Sequence, residues 1–387
     1  MDAEIRLPEP REVIDLLSSL VAIDSINPSL VPGAAGEAQI AAFIADWLER
    51  AGVTAAVNEV APGRPNVLAR VPGRSSGRSL LLNAHTDTVG VAAMATPFFP
   101  MVDGDRLYGR GAYDMKSGLA AIMLAARLVS EVGGAGGDLI LTAVMDEEYA
   151  SLGTQAALET VHADAAIVTE PTGLRLCTAH KGFAWMNVVT HGRAAHGSKP
   201  ELGIDAIAHM GRVLRALEAL EGELRARDPH PLLGTASIHA SLIDGGQELS
   251  SYPGRCRLQV ERRTLPGEMP DVVERELRTH LEAIGELDAE FRADLDLFFW
   301  RDPFQIDPVE PIVEMLETVC TEETGDAPGI YGDTPWMDAA FLQAAGIPTV
   351  VFGPGGAGAH AAVEYASISE TARCARILAA TVMRFCR

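Results

Sequence analysis

Leu80-Leu81-Leu82-Asn83-Ala84-His85-Thr86-Asp87 is a short apolar run that ends on two metal-type side chains. A run of this length, fed by the turn Pro72-Gly73-Arg74-Ser75-Ser76-Gly77, reads as a buried strand. On a strand, residues two apart point the same way, so His85 and Asp87 are expected to face one site. Further ligand-type residues follow runs of the same kind. Residues 139–145 precede Glu147 and Glu148, residues 165–169 precede Glu170, and residues 348–352 precede a glycine loop that leads to His360. Asp114 lies in the loop Gly109-Arg110-Gly111-Ala112-Tyr113-Asp114-Met115-Lys116-Ser117-Gly118. In an open α/β sheet, ligands gather outside the carboxyl ends of the strands. Two imidazoles and several carboxylates at that edge predict a hydrolytic zinc centre on an α/β fold.

The chain around this core has 387 residues, above the ~250–300 at which a single core usually stops growing, so two domains are expected. Helical spacing of apolar residues marks 12–24, 36–51 and 119–129 as helices, and strand–helix alternation continues to about residue 179. The pattern then changes. Residues 183–190, 235–242, 256–262 and 290–299 read as strands, and 204–220 and 271–284 as amphipathic helices. This β-α-β-β-α-β order predicts a two-layer, ferredoxin-like α+β domain inserted into the larger one. The α/β pattern resumes with a helix over 309–320. The expected division is 1–179 and 304–387 for a mixed-sheet catalytic domain, with 180–303 as the insert.

A formal charge of −22 argues against nucleic acid or an anionic membrane as partner. The first residues lack the basic-then-apolar order of a signal peptide, and no apolar run approaches the ~20 residues that span a bilayer. Five scattered cysteines without CxxC spacing read as reduced, buried thiols of a cytoplasmic protein.

The segments His85-Thr86-Asp87, Gly109 to Lys116, Asp146-Glu147-Glu148, Glu170-Pro171-Thr172 and Gly358-Ala359-His360 occur in the order seen in the M20 zinc amidohydrolases, and the resemblance runs over essentially the whole chain. That family includes acetylornithine deacetylase, succinyl-diaminopimelate desuccinylase, aminoacylase-1 and the carboxypeptidase G2 type. The resemblance implies two Zn2+ per subunit, with Co2+ or Mn2+ able to replace them. Asp114 would bridge the ions, His360 and Glu148 would complete one site, and His85 and Glu170 the other. Glu147 would be the general base, and Asp87 would stand behind His85 and fix its tautomer. Arg110 and Lys116 are expected to brace the acidic cluster. Glu364 is either a supporting acid or an ordinary surface residue.

His191-Gly192-Arg193-Ala194-Ala195-His196-Gly197 resembles the family's Gly-x-x-x-His segment at a dimer interface. The implied role for His196 is to reach the partner's active site and stabilise an oxyanion, which makes a homodimer the expected assembly. Arg263 lines up with the family arginine that grips a substrate carboxylate; Arg262 should point to the opposite face of the same strand. Where relatives carry an asparagine, the matching stretch here is Leu249-Ser250-Ser251-Tyr252-Pro253, leaving Ser250 as a weaker substrate contact. Asp338-Ala339-Ala340 departs similarly from relatives with a larger polar residue. The loop Gly353-Pro354-Gly355-Gly356-Ala357-Gly358 offers backbone N–H groups to substrate, with Gly355 the candidate. The expected reaction is hydrolysis of the linear amide of an N-acyl amino acid, as in acetylornithine deacetylase, by a zinc-activated water. A dipeptidase or carboxypeptidase on the same machinery is the alternative within the family. A catalytically silent dimeric metabolite-binding relative is the alternative outside enzymes.

Overall fold

The structure, a computed structural model, describes residues 5–91 and 93–387. Residues 1–4, on which the reading of the chain start rests, lie outside the described residues.

Helices α1 (Pro10–Ala22) and α2 (Ala38–Arg50) lead into the hairpin β1 (Thr54–Ala61) and β2 (Arg64–Val71), then β3 (Leu80–His85). Next come a π-helical turn at Ala112–Lys116, α3 (Ser117–Glu131), β4 (Leu139–Val144), α4 (Leu152–Leu158), β5 (Ala165–Val168) and β6 (Leu176–His180). The insert contributes β7 (Gly182–His191), α5 (Ala206–Ala226), β8 (Ser237–Gly245), β9 (Arg255–Thr264), α6 (Pro270–Leu287) and β10 (Arg292–Arg301). Helix α7 (Pro311–Thr324), α8 (Ala339–Ala344), β11 (Thr349–Val351) and α9 (Ile368–Phe385) complete the main elements.

The chain clusters into two compact units. One comprises the described residues up to Thr178 together with Ile306–Tyr331 and Met337–Arg387; the other comprises Ala179–Gln305 and Gly332–Trp336.

In the first unit the mixed sheet runs in the order β1-β2-β4-β3-β5-β11-β6. Its centre is parallel: Leu80 pairs with Leu139 on one side and with Ala165 on the other, and Thr349 pairs with Ala166. Such strands are buried on both faces and need continuous apolar runs, which is why β3, β4 and β5 are almost wholly buried. Helix α3 packs on β3 and beneath α9, and it is buried nearly all round, from Leu119 through Val129. Aligned parallel strands bring the residues after β3, β4, β5 and β11 to one sheet edge.

The second unit is a four-stranded antiparallel sheet, β8-β9-β7-β10, covered on one face by α5 and α6. Alternate residues Ala184, Met186 and Val188 of β7 and Leu258 and Val260 of β9 meet Met210, Val213 and Leu217 of α5 and Val273 and Leu277 of α6. The expected β-α-β-β-α-β order is the observed one.

Candidate metal centre

His85 is the last residue of β3, and Asp87 lies just beyond it, so the two do not share a strand face as the spacing suggested. They still converge. The His85 Nδ1 lies 2.9 Å from the Asp87 carbonyl oxygen and 3.6 Å from Asp87 Oδ1. That leaves Nε2 facing Asp114 Oδ1 at 3.2 Å and Glu170 Oε1 at 3.6 Å. The other Asp114 oxygen, Oδ2, faces His360 Nε2 at 3.4 Å, and that nitrogen is 3.1 Å from Glu148 Oε2. Asp114 thus stands between the two imidazoles, with Glu170 beside one and Glu148 beside the other. Ligand atoms of His85, Asp114 and Glu148 fall within 4.8 Å of one another, and so do those of His85, Glu147 and Glu170. Glu147, expected as a base and not a ligand, is therefore within ligand distance of the His85–Glu170 pair.

Several side chains hold these groups in place. The buried Asp87 carboxylate accepts hydrogen bonds from the backbone N–H groups of Glu147 (3.1 Å) and Glu148 (3.2 Å) and from Asn27 Nδ2 (2.8 Å). Glu364 is buried and accepts from Arg110 Nη1 at 2.6 Å and from the amides of Gly111, Tyr113 and Asp114 at 3.0–3.1 Å. It is a supporting acid of the Asp114 loop. Lys116 donates from Nζ to the Ile23 carbonyl at 2.8 Å, and burial pulls its ammonium down to about 7. Asp338, buried and bonded to Thr154 Oγ1, is pushed up by desolvation to about 6. Sequence reasoning missed Asn27, which has no motif around it beyond the Asn27-Pro28 break.

The electrostatics describe a cluster short of positive charge. Desolvation raises Glu147 and Glu170 well above the usual carboxyl range, with neighbouring carboxylates adding to it, and raises Glu148 for the same reasons. Hydrogen bonds that its ring N–H donates to the Asp114 and Glu148 carboxylates lift the half-exposed His360 to about 10. Burial alone would lower the fully buried His85, but Glu170, Asp114 and Glu147 outweigh it and hold it well above its usual value. So many converging carboxylates call for a positive charge of the kind that a divalent cation supplies. Glu148 Oε1 is buried without a hydrogen-bond partner among the described residues. An oxygen-rich set with two imidazole nitrogens and an unsatisfied buried carboxylate oxygen fits bound divalent metal.

The remaining candidates lie as follows. His196 is exposed in the loop after β7, with Nδ1 2.8 Å from Ser198 Oγ; it bridges to Ser251, and the Gly197 N–H donates to the Ser250 carbonyl at 2.7 Å. His196 and Ser250 are therefore close neighbours. Arg262 is fully buried on the helix-covered face and paired with Glu268 and Glu276. Arg263, on the other face, is a third exposed; its Nε donates to Glu261 Oε1 at 2.7 Å and its guanidinium lies over Phe183. In the glycine loop the expected free N–H groups are partly taken: Gly353 donates to Thr172 Oγ1, and Gly356 and Ala357 pair with Ala366 and Tyr365. Gly355 is buried, and a Cβ there would come within 2.3 Å of the Glu370 carboxylate.

Residues 81–384 match the model of peptidase family M20/M25/M40. An acetylornithine deacetylase from Myxococcus xanthus is 32% identical over 386 residues, covering 96% of each chain. An N-formyl-4-amino-5-aminomethyl-2-methylpyrimidine deformylase from Bacillus subtilis is 28% identical over 408 residues, covering 97% of this chain and 95% of that one. Among solved structures, a tripeptidase from Staphylococcus aureus superposes with a TM-score of 0.80 at 17% identity, covering 99% of this chain and 100% of the other. A dinuclear metal-binding M20 peptidase from Bacillus subtilis gives 0.76 at 17% identity, covering 97% and 98%. These likenesses confirm the expected fold, a mixed sheet flanked by helices with a ferredoxin-like insert. The protein belongs to peptidase family M20/M25/M40 and is a metallo-hydrolase of the amidohydrolase and peptidase type.

Proposed function

We propose that the protein hydrolyses the linear amide of an N-acyl amino acid or a closely related small N-acyl amine. The observation that carries this is Asp114, whose two carboxylate oxygens each face a different imidazole with a further carboxylate alongside. His85, Glu170 and Asp114 would hold one divalent cation, and His360, Glu148 and Asp114 the other; zinc suits this nitrogen and oxygen donor set, and cobalt or manganese would substitute. When bound, the ions would supply Lewis-acid polarisation of the scissile carbonyl and a water acidic enough to attack at neutral pH.

The chain's own residues divide the rest of the work. Glu147, its carboxyl raised by burial and neighbouring acids, takes the proton of the attacking water and returns it to the leaving amine. The Asp87 carbonyl, 2.9 Å from His85 Nδ1, fixes the tautomer that turns Nε2 toward the site. Residues 180–303 act as a dimerisation and lid domain that delivers His196 to a partner's site, where it donates to the developing oxyanion. The Arg263 guanidinium binds the substrate carboxylate, with Ser250 and Gly355 as lesser contacts. The relatives that support an acyl substrate are the acetylornithine deacetylase and the deformylase, both named for removing an acyl group from an amine.

The test is amine release by zinc-reconstituted protein from a matched panel of N-acetyl, N-formyl and N-succinyl amino acids alongside dipeptides. Preference for acylated single amino acids is the expected result. Preference for dipeptides would move the protein to the peptidase branch of the family. No release from any member, with two metals bound, would overturn the substrate class.

A further inference from the structure

Behind the proposed ligands lies a buried polar cluster in the first unit, built from Asn27, Glu37, Arg64 and Asp146. Asn27 and Glu37 are completely buried, as is Asp146. Arg64, from β2, forms a two-pronged ion pair with Glu37, and its Nη1 lies 3.0 Å from Asp146 Oδ1. The Asn27 amide sits at the centre. Its Nδ2 donates to Asp87 Oδ2 at 2.8 Å and to Asp146 Oδ1 at 3.0 Å. Its Oδ1 accepts from Arg64 Nη2 at 3.1 Å and from the Ser29 N–H at 2.8 Å. Both amide protons and both lone pairs are used, so the orientation of this side chain is determined by its partners. Flipping it would set oxygen against two carboxylates.

The two carboxylates it joins are those that shape the Glu147–Glu148 segment. Asp146 adopts a left-handed backbone, φ 69°, directly before the pair, and its carbonyl accepts from the amides of Tyr149, Ala150 and Ser151. Asp87 accepts from the amides of Glu147 and Glu148 and flanks His85. The backbone of Asn27 is itself tied to the segment that follows β3, donating to the Thr88 carbonyl at 2.9 Å.

We propose that Asn27, held by the Arg64–Glu37 pair, is a positioning residue that sets the Glu147–Glu148 segment against His85. Among the described residues its side chain makes no hydrogen bond to the candidate ligand atoms; it acts through Asp87 and Asp146. Three segments distant in sequence are thereby locked by one amide, and small displacements of groups that must converge on a metal and a reacting water are costly. The inference rests on the proposed roles of Asp87, Glu147 and Glu148.

The experiment uses full-length protein carrying Asn27→Asp or Asn27→Ser, with Leu378→Ala in the core of α9 as a stability control. Asn27→Asp keeps the shape and the two accepted bonds but removes both donors; Asn27→Ser covers the case in which the first variant does not fold. Measured are kcat and KM on the best panel substrate, Zn2+ affinity by competition with a chromogenic chelator, and Tm without metal. The expected result is a fall of about 10–100-fold in kcat and in Zn2+ affinity with KM within about threefold. Leu378→Ala, at an equal or larger loss of Tm, should leave kcat and Zn2+ affinity near wild type. Asn27 variants that follow the control, losing Tm alone, overturn the proposal. If wild type turns over no panel member, the functional reading has failed, and the Zn2+ titration decides positioning alone: weakened binding supports it and unchanged binding overturns it.

Discussion

Glu364 shows how much a single side chain carries here, because its carboxylate satisfies the Arg110 guanidinium and the amides that form the Asp114 loop at once. Arg110 and Glu364 are each 1% exposed. Glu364→Ala leaves a buried guanidinium without its counter-charge, a change that typically costs about 3–5 kcal/mol. The expected outcome is a large drop in the denaturant midpoint, with Glu364→Gln losing less because its amide oxygen still accepts. Glu147→Gln should behave in the opposite way: it should lower kcat by about 10²–10⁴-fold while the fold and the bound metal remain. Measured by metal content and turnover on the same preparation, that variant separates an enzyme from a silent relative, which would be unaffected. The residues that sequence alone brings forward are those that sit in compact strings such as His85-Thr86-Asp87 and Asp146-Glu147-Glu148. Asn27, Glu37 and Arg64 escape notice because hydrogen bonds between residues tens of positions apart leave no period or spacing in the sequence.

At the scale of elements, the site depends on how closely helices approach the strand ends. Gly118, in the first turn of α3, is buried against the end of β5, where a Cβ would lie 2.0 Å from the Thr169 carbonyl oxygen. Gly118→Ala must push the helix from the strand that leads to Glu170. A cost of about 1–3 kcal/mol is expected from overpacking, together with weaker Zn2+ binding in a chelator titration; an unchanged titration would show that the helix adjusts without moving Glu170. The opening of α1 is secured by charge. Glu12 bonds Arg6 and Arg127 and closes the capping box with Glu9, and these partners, Arg6 first, hold its carboxyl down at about 2 against burial. A depressed carboxyl pKa contributes stability that is full above the ordinary value of 4.5 and is lost as pH falls through the folded value of about 2. Glu12→Gln should therefore melt below wild type at pH 7, with the gap narrowing from pH 4.5 downward. Most helices are legible from large apolar residues at helical spacing, but α9 is not. Its buried stripe mixes Ile368, Ile377, Leu378, Val382 and Phe385 with Thr371, Ala372, Cys374, Ala375, Ala379 and Thr381, and over 369–376 the small or hydroxyl side chains do not register as a hydrophobic face. Strand β1 is missed for a related reason, since none of its residues is buried and no alternation can be read.

On the scale of the whole molecule, the interleaving of one architecture inside another is readable because the periodicity changes: buried parallel strands give way to half-buried alternating ones near residue 180. What the sequence does not display is that β8, among the described residues, ends the sheet as an open edge paired on one side only, to β9, and exposed from His239 through Gly245 with Leu242 and Ile243 at 66% and 56%. Despite a register shift between Ala240 and Leu242, an exposed edge strand with apolar side chains is a template for pairing with another chain, and a two-fold axis there would join the sheets of two inserts. If His196 then serves the partner's site, activity becomes a property of the pair. Mixing His196→Ala with Glu147→Gln tests this, since each variant alone should be nearly inactive. In a heterodimer the His196→Ala chain keeps its own Glu147 and receives His196 from its partner, so one site of two is complete. With random exchange of equal amounts, half the dimers are mixed, and the recovered turnover should approach about one quarter of wild type. Recovery should appear only after subunits exchange, and at a rate that follows dissociation. A mixture that stays as inactive as its components, with exchange shown by differently tagged chains, would mean that His196 acts within its own subunit or not at all.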